Sequence, residues 1–143
     1  MTRPMPTRPR VQDWPERLAE LIEARREMPF TWGLHDCCTF AADAAVALTG
    51  SDPMAQFRGR YSDEEGAAAM VGQGGLEEKV AAELAAWGAR EIRPAFAQRG
   101  DWALVMVGND LMSGVVIGAE VAVPGPDGLR FVSLQAARRC WGI

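Results

Sequence analysis

The stretch that decides the fold is Phe30-Thr31-Trp32-Gly33-Leu34-His35-Asp36-Cys37-Cys38, continued by Thr39 to Leu48. A short loop with a glycine and large aromatics runs into a segment that is nearly all Ala, Val, Phe and Leu. A helix apolar on most of its sides is a buried helix. Gly50 closes it, and Ser51-Asp52-Pro53 restarts the chain. Cys37 therefore opens a central helix. A helix N-terminus favours thiolate over thiol, which makes Cys37 a candidate nucleophile. Asp43 is the one charge inside the helix, and a buried acid needs a partner such as Arg58 or Arg60.

Upstream, Pro4, Pro6 and Pro9 among Thr and Arg predict an extended arm over residues 1–12, frayed or laid across a neighbouring subunit. Asp13, Pro15 and Glu16 start a first helix with a capping box, Leu18, Leu21 and Ile22 give it an apolar stripe, and Pro29 ends it. Downstream, Ser62 and Glu65 cap a helix through Val71, Gly72 to Gly75 break it, and Leu76 to Trp87 form another. After Gly88 the pattern changes. Trp102–Val107, Met112–Ile117, Glu120–Val123 and Leu129–Leu134 read as strands, with turns at Gly108-Asn109-Asp110 and Pro124 to Gly128. Residues 135–139 read as a helical turn, and Cys140 to Ile143 as a short final strand. Helices first and strands second predict an α+β fold, with N-terminal helices packed on a C-terminal antiparallel sheet and residues 13–143 forming one domain.

The bulk numbers exclude several roles. A formal net charge of -4 argues against nucleic-acid binding by the whole surface. No run is long and apolar enough for a membrane span, and no apolar run follows the basic N-terminus as a secretory signal requires. Three cysteines, two of them adjacent, do not make a disulfide framework. A zinc site from His35, Cys37, Cys38 and Cys140 is not expected, because adjacent side chains on a helix diverge by about 100°. No metal and no cofactor is predicted, and Cys38 and Cys140 read as small core residues.

Phe30-x-Trp32-Gly33, Asp36-Cys37 and the later Gly100-Asp101 before a strand resemble the NlpC branch of papain-like cysteine peptidases. The resemblance covers about residues 13–123. Trp32-Gly33-x-x-Asp36-Cys37-Cys38, Thr49-Gly50-x-Asp52-Pro53, Arg58-Gly59-x-Tyr61 and Arg99-Gly100-Asp101 look like small phage and prophage tail-gene proteins of that superfamily, as in gene transfer agents. The resemblance implies a papain-like fold with Cys37 as nucleophile. It places the family's base histidine at Met112 and its third polar residue near Val121 to Pro124, where Glu120 is the nearest polar side chain. The one histidine, His35, lies two residues before Cys37, and Asp36 or Asp101 could orient it as a replacement base. In papain-like sites the base comes from the facing sheet, so His35 is read instead as bonding locally and holding the loop.

The function implied is a phage tail component, at the tip or hub, that assembles with other tail proteins and has weak or lost catalysis. It would be made in the host cytoplasm and carried in the virion, with residues 1–12 available to hub or distal-tail partners. The alternative is an active cysteine peptidase cleaving peptidoglycan during infection. A small adaptor with no phage role is the third reading.

Overall fold

The computed structural model describes residues 8–143. Among them the helices are α1 (Trp14–Arg25), α2 (Cys37–Thr49), α3 (Glu64–Val71) and α4 (Gly75–Trp87). The strands are β1 (Arg90–Ile92), β2 (Trp102–Val107), β3 (Asp110–Val116), β4 (Glu120–Gly125), β5 (Gly128–Ser133) and β6 (Ala137–Gly142). They form one antiparallel sheet in the order β1-β6-β2-β3-β4-β5. The α+β class and the split between helical and strand halves follow the sequence reading.

The central helix forms for the reasons its sequence supplies. Asp36 caps α2 in a reciprocal box with Thr39, and Gly50 ends it at φ 77°. The helix packs against α1 on one side and β3 and β4 on the other. Phe40, Ala44, Ala45 and Leu48 meet Leu18, Leu104, Val115 and Trp141 in the main core. Caps elsewhere differ from expectation. Asp13 makes no capping bond, because its carboxylate is drawn to Arg17 at 2.9 Å. Helix α1 stops at Arg25, short of Pro29. Asp63, not Ser62, caps α3, its carboxylate accepting from the Gly66 N–H at 2.7 Å.

Strands β1 and most of β6 were hidden from the sequence pattern. The predicted turn over 135–139 shrinks to a 3-10 turn at Leu134–Ala136, and β6 begins at Ala137. Arg138 and Arg139 mask its alternation. Arg139 pairs with Glu91 of β1 at 2.6 Å, so the charges that obscure both strands also tie them together.

Each face of the sheet carries a buried apolar cluster. Trp102, Leu104 and Val115 face the helices. Ala103, Val105, Val107 and Val116 face the other way, into a second cluster with Ile92, Val121, Val123 and Cys140 that contains no α-helical residue. This alternation settles which β3 side chains meet α2. Leu111, Ser113 and Val115 lie on the helix face, and Met112 and Val116 on the second face.

Residues 1–7, which carry most of the expected arm, lie outside the described residues. Residues 8–12 lie on the body of the chain. Arg8 donates to the Trp87 carbonyl at 2.7 Å and covers its ring. Val11 N–H donates to the Leu48 carbonyl at 2.7 Å. Arg10 bonds the carbonyls of Ile143 and Arg99 and the Asp101 carboxylate.

Candidate functional site

The site begins with a loop folded around one carboxylate. Thr31 and His35 bridge, and Gly33 turns the chain at φ +80°. The Tyr61 carbonyl occupies the space a Cβ at residue 33 would need, so both conformation and contact demand glycine there. Gly33 N–H donates to Asp36 Oδ2 at 2.9 Å, and Tyr61 O–H donates to the same oxygen at 2.6 Å. Asp36 Oδ1 accepts from Thr39 N–H at 2.9 Å. The Trp32-Gly33-x-x-Asp36-Cys37 and Arg58-Gly59-x-Tyr61 stretches thus meet on one buried acid. Burial, then the Asp36 carboxylate, raise the Tyr61 phenol far above its ordinary range and keep it a donor. Asp36 is committed to positioning the helix start and touches neither sulfur with a hydrogen bond.

At that helix start the two thiols lie together. Cys37 Sγ and Cys38 Sγ are 4.0 Å apart, and Cys38 Sγ donates to Ser113 Oγ at 3.5 Å. Ser113 Oγ also accepts from Trp102 Nε1–H at 3.0 Å. The Cys37 thiol is lowered from its ordinary range, first because Cys38 S–H donates to it, with backbone N–H groups of Ser113 and Cys38 adding to the effect against burial and the Asp36 charge. Cys38 is raised well above its own range by the same bond and by burial. When Cys37 ionises, the single Cys38 proton turns toward it, and the Ser113 hydroxyl is freed to donate to Cys38. The N–H of Cys37, in the first turn of α2, meets no hydrogen-bond acceptor among the described residues.

Both cysteines border a cleft of ≈ 510 Å³ between the α2 start, α3, α4 and β3. Its wall is mainly apolar, with Met54, Phe57, Leu76 and Met70 among its residues. Phe30 and Trp32 stand at its junction with a second cleft against β4 and β5, packed edge to face at 4.7 Å.

The remaining sequence candidates fall elsewhere. The residue presented to the thiols from β3 is Ser113, not Met112. Met112 borders the cleft but packs with the second-face cluster, because side chains alternate along a strand. His35 is fully buried behind the loop. Its Nδ1 accepts from Arg25 at 3.0 Å, which assigns the ring proton to Nε2, and Nε2 has no partner. Burial and then the Arg25 charge lower its pKa, against Asp43 and Asp36. It bonds neither thiol. Asp101 lies at the other end of the fold's wiring, bonding Arg10, the Ile143 N–H and the Gln98 N–H. Asp43 pairs with Arg58 at 2.7 Å, as one of the two arginines expected, and also with Arg25 at 2.7 Å. Arg58 continues to Asp52 at 2.9 Å. Cys140 is buried on the second face, its thiol pushed up to about 12 chiefly by burial. Cys38 is half-buried: it packs against the main core, as expected, and also borders the cleft. Among the described residues no three His, Cys, Asp or Glu side chains gather as a metal site, and no helix is long and apolar enough to cross a membrane.

Fold and site together define an α+β protein with a vicinal thiol pair at the start of its central helix, open to an apolar cleft. The chain belongs to a family described as a domain of unknown function (DUF6950), whose model matches residues 9–143. No curated protein matches it, and no solved structure does.

Proposed function

We propose that this chain is a papain-like protein of the NlpC type that serves a phage tail, at its tip or hub, and has lost peptidase chemistry. The observation that carries the loss is Ser113. A cysteine peptidase needs a base across from its thiol, and later the same group as an acid to protonate the departing amine. A serine hydroxyl near neutral pH does neither. Glu64 and Asp110 border the cleft, but neither hydrogen-bonds a thiol. The helix that starts at Cys37, packed on an antiparallel sheet whose β2 follows Gly100-Asp101, supports the papain-like reading. The tail role is supported by the resemblance of the motifs. Residues 8–12 are held on the body of the chain, so an N-terminal contact with hub or distal-tail proteins falls to residues 1–7.

A second reading, an active peptidase on peptidoglycan, is favoured by the lowered Cys37 thiol alone. One experiment separates them. Purified chain, Cys37→Ala and Ser113→His are incubated with peptidoglycan. No muropeptide release from the native chain is expected, and release that disappears in Cys37→Ala overturns the proposal. For the tail role, deleting residues 1–7 should impair incorporation into particles. Full incorporation would sink it for that segment.

A further inference from the structure

We infer that Cys37 accepts an apolar acyl group from a thioester and keeps it in the cleft as an S-acyl adduct. The inference rests on the reading that the site has no base, and names the substrate class such a site can still use. Cleaving an amide requires a proton for the departing nitrogen, and among the described residues no imidazole, ammonium or carboxyl group hydrogen-bonds a thiol to relay one. A thioester has no such need, because a departing thiolate is stable near its ordinary pKa of about 8.5. The Cys37 thiolate attacks the acyl carbonyl, and an Sγ–C bond forms. The charge that develops on the carbonyl oxygen is met by the unpartnered N–H of Cys37 at the α2 start. Collapse breaks the donor's C–S bond and releases its thiolate, with no net electron transfer. Water does not follow, since hydrolysis of the adduct again needs a base.

The cleft selects the acyl group. Its wall combines Met54 and Phe57 with Leu76 of α4 and Ala67, Met70 and Val71 of α3. No residue of α3 is fully buried, and this helix turns Ala67, Met70 and Val71 to a cleft that no described residue fills. A volume of ≈ 510 Å³ falls within the range of small-molecule sites, roughly 300–1,000 Å³. An oxidative role for the thiol pair fits less well. Adjacent Cα atoms sit about 3.8 Å apart, below the roughly 4.4–6.8 Å that disulfides span.

The test uses the full chain with acetyl and octanoyl thioesters of N-acetylcysteamine near neutral pH, followed by intact mass and peptide mapping. One hydroxylamine-labile adduct on Cys37 is expected, absent in Cys37→Ala. The octanoyl donor should label about tenfold faster than the acetyl donor, a ratio that about two buried methylenes supply. In the native chain, octanoylation should also protect Cys37 from iodoacetamide, a readout that needs no variant to fold. Absence of an adduct while iodoacetamide still labels Cys37 overturns the inference and leaves the base-free reading standing. Equal rates for the two donors, or labelling of Cys140 instead, overturn it as well. Catalytic release of octanoate overturns both, because turnover requires a base.

Discussion

Replacing Tyr61 with Phe removes a single hydroxyl and leaves the ring in place. That hydroxyl donates at 2.6 Å to Asp36 Oδ2, an ionised acceptor beside the cap of α2. Hydrogen bonds to charged groups contribute about 1.5–3 kcal/mol, and the partial exposure of Tyr61 favours the lower part of that range, so about 2 kcal/mol is expected. Asp36→Ala should cost more. It removes a cap worth about 1–2 kcal/mol and strands the Gly33 N–H and Tyr61 O–H, for a total of about 4 kcal/mol. Urea unfolding followed by tryptophan fluorescence reads these as shifts in midpoint at unchanged slope. The double variant is the decisive arm. With Asp36 gone, Tyr61→Phe has no bond left to lose, so the two costs should fall short of additivity by about 1.5 kcal/mol or more. Tyr61→Phe within about 0.5 kcal/mol of the native chain, or additive costs, would refute the account of a loop built on one acid. Asp36→Asn adds a chemical readout. The Asp36 charge opposes ionisation of Cys37, so this variant should alkylate faster at a given pH.

Three further outcomes are expected. His35 is neutral when folded and its pKa is lowered, so the unfolded chain takes up its proton first; stability should fall as pH drops below about 6.5, and a His35→Gln variant should show a flatter slope between pH about 6.5 and 5.5 in urea titrations. Gly33→Ala should cost about 3 kcal/mol, from a left-handed backbone plus collision with the Tyr61 carbonyl, whereas Gly50→Ala, at nearly the same φ in open space, should cost about 1 kcal/mol; equal costs in thermal unfolding would discount the collision. Asp43→Asn leaves Arg25 and Arg58 without their shared carboxylate; the three side chains are partly exposed, so the loss should be about 2 kcal/mol, and a loss indistinguishable from zero would remove the network from the account.

What the sequence revealed and what it hid have physical causes. Helix α2 was legible because an apolar run from Thr39 to Leu48 is closed by Gly50, while its Asp36 cap emerged only in the structure. The β2 to β5 meander was legible because its turns carry Gly, Asn, Asp and Pro. Strand β6 was not, since Arg138 and Arg139 break the alternation that marks a strand. Cys37 at the helix start was readable from position alone. Its surroundings were not. Ser113 and Trp102 arrive from strands more than sixty residues away, and Tyr61 from a loop with no signal that it reaches Asp36. Met112 illustrates what a short motif leaves open. The resemblance picks a place along the strand but not a face of the sheet, and one residue of offset exchanges Met112 for Ser113. Counting in twos from Leu111 and Val115 would have found the serine. Adjacent cysteines were expected to point apart, yet their sulfurs approach to 4.0 Å at the first turn of the helix.

The place of β6 in the sheet bears on how the chain acquires its fold. The last strand in sequence is not at an edge; it sits between β1 and β2. Until residues 137–142 dock, β1 is detached and β2 shows an unpaired edge, a template for other extended chains. Closing this slot joins segments separated by some forty residues, a slow, non-local step. A chain cut before Ala137 would therefore carry an open groove of strand width. A synthetic peptide with the sequence of residues 137–143 should be able to fill that groove in trans, which makes the sheet divisible at a point set by topology rather than by the order of synthesis.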